Sequence, residues 1–172
     1  MTGLSLEKDA LVEIAVLVTD SDLQIINEGV TAVICPSPER LSSMSEYVRA
    51  MHTASGLITE IPTGLSLLEA ELKVITYLLG CAVEPGKSPL AGNSVSVDRS
   101  FIARDMPLLN DFLHYRTVDV SSIKELARRW YPKAYFQAPA KTGNHRALGD
   151  IQDSIAELAY YRSAVFAPAP RA

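Results

Sequence analysis

The run Leu11-Val-Glu-Ile-Ala-Val-Leu-Val18 is apolar at every position but Glu13 and is rich in β-branched residues. Such a run predicts a buried strand. Asp20-Ser-Asp22 then marks a turn, and Leu23–Ile26 and Val30–Ile34 read as two further strands, giving a three-stranded meander. Cys35-Pro-Ser-Pro-Glu39 breaks the pattern and predicts a loop. Beyond it the apolar period lengthens toward that of a helix. Ser43-Met-Ser-Glu46, Ser66-Leu-Leu-Glu69 and Ser122-Ile-Lys-Glu125 each have the spacing of a capping box, in which the serine meets a backbone N–H and the glutamate reaches back. The second should open a helix to about Cys81, and the third one to about Trp130. Ser88-Pro-Leu-Ala91 and Tyr115–Val118 read as short strands, a helix is expected to start near Asp98, and Pro132–Asn144 reads as a loop. A closing helix is predicted over Arg146–Ser163, with apolar positions at Ala147, Ile151, Ile155, Leu158 and Ala159. The tail from Ala167 to Ala172 is expected to fray. Strand–helix alternation without repeat or linker predicts one α/β domain over residues 1–172.

Composition narrows the function classes. Of the 172 residues 48% are apolar and 21% charged, which suits a folded domain with one sizeable core. The net charge of −4 argues against a protein that grips long duplex nucleic acid through many phosphates. Cys35 and Cys81 match no metal or redox spacing and are expected to be reduced and buried. Glu69, Glu71 and Lys73 interrupt the longest apolar stretch, so no membrane span is expected. The first residues carry no basic region followed by an apolar run, and a cytoplasmic enzyme is expected.

Three groups of residues could carry chemistry. Asp98 follows a strand and a Gly-Asn-Ser turn, where it could either cap a helix or line an α/β site. His145 and Asp150 are five apart, so they would not share one face of a regular helix. The histidine would sit in the loop before the closing helix, and the aspartate in its first turns. The pair is either a base with a nearby carboxylate or a loop histidine beside a solvated acid. Between Arg116 and Lys133 lie five basic and two acidic residues, which fits a pocket for a terminal phosphate or a solvated helix face.

Taken together, several segments resemble the oligoribonuclease family, 3′→5′ exonucleases of the DEDDh type. They are Met1-Thr-Gly-Leu4, Glu13-Ile-Ala15, Leu17-Val-Thr-Asp20, Met51-His-Thr-Ala-Ser-Gly-Leu57, Gly92-Asn-Ser94 with Asp98-Arg99, and His114-Tyr-Arg116. Asp119-Val-Ser121, Lys124-Glu-Leu-Ala-Arg-Arg-Trp130, His145–Asp150 and Ala156-Glu-Leu-Ala-Tyr-Tyr-Arg162 follow in the family's order. The resemblance implies a ribonuclease-H-like α/β fold, with a mixed central sheet flanked by helices. It implies two divalent ions, Mg²⁺ or Mn²⁺, held by four acidic residues, and a histidine base. Asp98 and Asp150 match two of the acidic metal ligands and His145 the base. Leu4 would wedge between bases and Tyr47 stack on one. Ser94, Arg116 and Ser121 would hold the substrate and its 5′ phosphate. The resemblance also implies a homodimer in which Tyr115 reaches the partner's site, with Trp130–Phe136 as an interface segment. Short RNA and dinucleotides are the implied substrates.

The family's first motif, Asp-x-Glu, runs directly into x-Thr-Gly-Leu. Here that x is Met1, so both acids fall ahead of the first residue. Glu7 and Asp9 do not replace them by spacing. The chain is therefore expected to lack the first strand, as a truncated enzyme that cleaves poorly. The alternative is a non-catalytic dimeric binder of short nucleotides.

Overall fold

The computed structural model describes residues 1–140 and 146–168. Strand β1 (Glu13–Val16) pairs antiparallel with β2 (Val30–Val33). Four helical segments follow, α1 (Pro38–Ser42), α2 (Glu46–Ala54), α3 (Leu57–Glu60) and the longer α4 (Leu67–Gly80), with a 3-10 turn at Ile61–Thr63. Strand β3 (Pro89–Gly92) leads through a tight turn into α5 (Val95–Asp105) and α6 (Pro107–Phe112). Strand β4 (His114–Asp119) returns parallel to β3, as a strand–helix–strand crossover requires. Helices α7 (Val120–Trp130), α8 (Pro132–Phe136) and α9 (Ala147–Val165) close the order.

The mixed α/β character is as expected, but the sheet is not continuous. The described strands form two separate two-stranded sheets, β1–β2 and β3–β4. Between β1 and β3 lies a cleft of about 670 Å³, walled by apolar side chains that include Leu11, Ile14, Leu78, Val95, Ile102 and Leu109. The edges of β1 and β3 that face it have no strand to pair with among the described residues. The main core packs around it: α4 contributes Ala70, Val74 and Leu78, and α5 contributes Phe101 and Ile102.

Several local expectations are corrected. The three-stranded meander is one hairpin: Leu23 takes a left-handed φ of 66°, and Thr19 and Ile25 form only an isolated bridge. Ser66 and Glu69 do form the full capping box of α4. The other two boxes fail because a nearby side chain already serves as cap. Ser45 caps α2 and Ser43 ends α1, while Asp119 caps α7 ahead of Ser122. Helix α5 begins at Val95, so Asp98 lies in its first turn and is not its cap. Pro132 opens α8 where a loop was expected, proline being well suited to the first helical position. Cys35 and Cys81 are both free, but Cys35 is exposed and Cys81 half-buried. In α9 the buried positions are Gly149, Ser154, Glu157 and Tyr161, and the expected apolar stripe is half-buried or exposed. Ser154 and Glu157 can lie inside because each meets a polar partner, Asn93 and Lys124 respectively. No described helix is long and apolar enough to cross a membrane.

Candidate active site

Asp98 and Asp150 come from α5 and α9, far apart in sequence, and both line the cleft beside Asn93 and Gly92. Asp98 gets there because the turn from β3 into α5 is tight. Ser94 adopts a left-handed φ of 53°, and its N–H donates to Asp119 Oδ1 at 3.0 Å and to Ser121 Oγ at 3.0 Å. Burial pushes the Asp98 carboxyl above the usual carboxylate range; its own backbone N–H and the Met1 ammonium pull part of the way back. Asp150 stands in the first turn of α9, where the helix dipole favours a negative charge. His145 lies outside the described residues.

The Met1 ammonium is also buried at this cleft. Burial lowers its pKa, and the attraction of Glu13, Asp98 and Asp9 opposes that change. Three carboxylates thus pull on the ammonium at this wall, but burial outweighs their attraction.

The expected substrate residues are not among those that line the cleft. Leu4 tips a turn clasped by Asp9, which accepts from the Thr2 hydroxyl at 2.9 Å and the Ser5 N–H at 2.8 Å. A side chain at Gly3 would collide with that carboxylate. Leu4 is 76% exposed, Tyr47 79% and Tyr115 74%, so all three rings or branches are free to meet a ligand. Helix α2, which carries Tyr47, is joined to the N-terminal turn where His52 Nε2 meets the Met1 carbonyl at 3.0 Å. On β4 the Tyr115 ring stacks beside His114, and the Arg116 guanidinium sits 5.4 Å from the Tyr115 ring centre. Ser94 and Ser121 are brought together, their hydroxyls 3.2 Å apart.

The expected basic patch is smaller than its residue count. Lys124 pairs with Glu157 at 2.9 Å, while Arg128 and Arg129 both pair with Glu125 at 2.8 Å. Arg116 and Lys133 have no such ion pair recorded among the described residues.

Two polar residues escaped the sequence reading. Asn93 accepts from the Ser121 hydroxyl at 3.0 Å and donates to Ser154 at 2.9 Å and Glu157 at 3.1 Å, tying β3, α7 and α9 together. Glu13, alone among apolar residues in its strand, reaches the start of α9. A lone charge in an apolar run was the available signal.

Residues 1–158 match the Exonuclease family model RNase_T. The chain is 61% identical to an oligoribonuclease of Streptomyces avermitilis over 170 residues, covering 99% of this chain and 85% of that one. It belongs to the oligoribonuclease family. Identity is 53% to the oligoribonuclease of Cutibacterium acnes, over 99% of this chain and 84% of the relative. It is again 53% to that of Mycobacterium tuberculosis, over 99% and 80%. The chain is thus a nuclease of the ribonuclease-H-like exonuclease fold, and Asp98 and Asp150 both lie inside the matched span.

Divalent-metal dependence is general among exonucleases of this kind, and the cleft can be tested for it. The donors are carboxylate oxygens, which suit a hard cation, and Glu13, Asp98 and Asp9 draw on the Met1 ammonium, although burial outweighs that pull. Among the described residues no three His, Cys, Asp or Glu side chains converge on one point. Two carboxylates fit the kind of Mg²⁺ site that draws its other ligands from water and substrate phosphate.

Proposed function

We propose that this oligoribonuclease-family chain is a 3′→5′ exoribonuclease for dinucleotides and very short RNA. The observation that carries the reading is that Asp98 and Asp150, from helices far apart in sequence, line one cleft. In this reading the two aspartates hold Mg²⁺ or Mn²⁺. A divalent cation there would sharpen the attacking water and steady the leaving oxygen of a phosphodiester. His145 takes the proton from that water as general base. Leu4 and Tyr47 bind the bases, by wedging and by stacking. Ser121 and Arg116 hold the 5′ phosphate, and Ser94 contacts the substrate beside them. Tyr115, carried on an exposed strand, caps the site of the second subunit of a homodimer, which joins through the exposed aromatics of Trp130–Phe136. A short ligand suits the overall charge of −4, since long RNA would need a basic groove. We place the enzyme in the cytoplasm.

A complete two-ion site needs acids beyond Asp98 and Asp150. Asp98 and Asp150 by themselves should therefore bind Mn²⁺ weakly and support only slow cleavage. A version extended at its N-terminus by a strand bearing Asp-x-Glu should cleave far faster. Cleavage of a labelled series from two to seven nucleotides, with and without the 5′ phosphate, tests the assignment in both forms. Preference for the phosphorylated dinucleotide supports it, and loss of activity in D98A, D150A and H145A of the extended form supports the roles. Equal rates along the series would point to a general exonuclease. Tight binding without cleavage in the extended form would point to a non-catalytic binder.

A further inference from the structure

Glu13 is a carboxylate on β1 whose side chain is 5% exposed. Its Oε2 accepts the Ala147 N–H at 2.9 Å, and its Oε1 accepts from Arg146 Nε at 2.9 Å. Arg146 extends the chain of contacts to α3, donating to the two Glu60 oxygens at 2.8 and 3.1 Å. Arg146 occupies the cap position of α9, yet that helix has no side-chain cap of its own. Helix starts leave N–H groups without intrahelical partners. Here one of them is met from another element, strand β1, which packs against the start of α9. The carboxylate also sits where the helix dipole favours negative charge.

One turn on, the Asp150 N–H donates to the Arg146 carbonyl at 3.0 Å. The aim of Asp150 into the cleft thus depends on how the first turn of α9 is set. We propose that Glu13 and Arg146 are positioning residues that fix this turn and so hold Asp150 opposite Asp98. The proposal rests on Asp150 being a cation ligand. The rest of α9 has other anchors: Lys124 to Glu157 at 2.9 Å, Asn93 to Ser154 at 2.9 Å, and the Tyr160 hydroxyl to the Ala134 carbonyl at 2.7 Å. Loss of the clamp should therefore loosen the first turn and leave the helix in place.

The test is Mn²⁺ affinity, read from water proton relaxation well below the melting temperature of every variant, with amide hydrogen exchange in parallel. Partners that orient metal ligands typically contribute about 10–100-fold in affinity. E13A should weaken Mn²⁺ by that factor and speed exchange of the Ala147 and Asp150 amides, with the later turns of α9 unchanged. E13Q keeps an acceptor for the Ala147 N–H and should lose less. R146A separates aim from ligation. It leaves the Glu13 carboxylate intact, so positioning predicts weaker Mn²⁺, whereas direct ligation by Glu13 predicts equal or tighter binding. E125A, which breaks ion pairs elsewhere, should match the parent chain. Parent-like Mn²⁺ affinity in E13A or R146A would overturn the proposal. A parent chain that takes up no Mn²⁺ would overturn the cation reading, and this assignment with it.

Discussion

Asp98 lines the cleft at a cost to its own charge. Its carboxyl is pushed up by burial, so in the folded protein the charged form is disfavoured relative to the unfolded chain. The linkage has a definite sign. Folding is favoured while Asp98 is protonated, and the advantage falls as pH rises through its unfolded value and on toward its raised folded one. D98N removes that charge. It should raise the metal-free melting temperature and abolish cleavage in the extended form. Scanning calorimetry at neutral pH checks this, and an unchanged or lower Tm would contradict it. Glu125 has the opposite sign. Hydrogen bonds from Arg128 and then Arg129 pull its pKa to about 2. Its contribution to folding should be full above the ordinary glutamate value and lost as pH falls through about 2; because it is solvent-exposed, the effect on stability should be small. Carboxyl NMR should show the low midpoint, and R128A should move it upward. Arg116 forms no ion pair among the described residues, so R116A should leave Tm unchanged. If it holds the 5′ phosphate, dinucleotide affinity should fall about 10- to 150-fold, from a lost charged hydrogen bond of about 1.5–3 kcal/mol. Calorimetric titration with 5′-phosphorylated and unphosphorylated dinucleotides separates the phosphate from the bases.

Among elements, the helices show where local signals suffice. At α4 the Ser66 hydroxyl accepts the Glu69 N–H while the Glu69 carboxylate takes the Ser66 N–H at 2.8 Å, and no competing cap lies nearby. S66A should cost about 1 kcal/mol, visible as a lower urea midpoint with an unchanged m-value. The same four-residue pattern misled at α2 and α7, because Ser45 and Asp119 stand closer to the true helix start. Spacing alone does not rank rival caps, and each helix takes the one its incoming chain direction aims best. Helix α9 goes further, with its first N–H satisfied from β1. No reading of residues near Ala147 could supply a partner that far away in the chain.

At the scale of the molecule, the cleft between the two sheets dominates. Close-packed interiors keep few voids larger than a water molecule, yet here an apolar-walled space of about 670 Å³ separates β1 from β3. Apolar surface left open in this way should bind a hydrophobic dye such as ANS. An N-terminal extension that adds a strand between β1 and β3 should suppress the dye signal and raise Tm together. If dye binding persisted alongside a higher Tm, the added strand would be packing elsewhere. The exposed Trp130, Tyr131 and Phe136 are a separate apolar surface. If they form the dimer interface, W130A combined with F136A should shift the sedimentation profile toward monomer.

The order of strands and helices was written in the sequence, because hydrophobic period and turn chemistry act over a few residues. Strand β1, helix α4, the β3 and β4 segments and the span of α9 could all be read from it, and the family resemblance singled out Asp98 and Asp150 through the motifs around them. Tertiary structure alone decided that these two aspartates share a cleft, that the sheet is divided, and that α9 buries Ser154 and Glu157 in preference to its apolar stripe. It also decided that Lys124, Arg128 and Arg129 spend their charge on neighbouring carboxylates. The physical reason is common to all of these. Burial, pairing and pKa depend on which distant residues the fold brings within a few ångströms, and a local pattern carries no record of those neighbours.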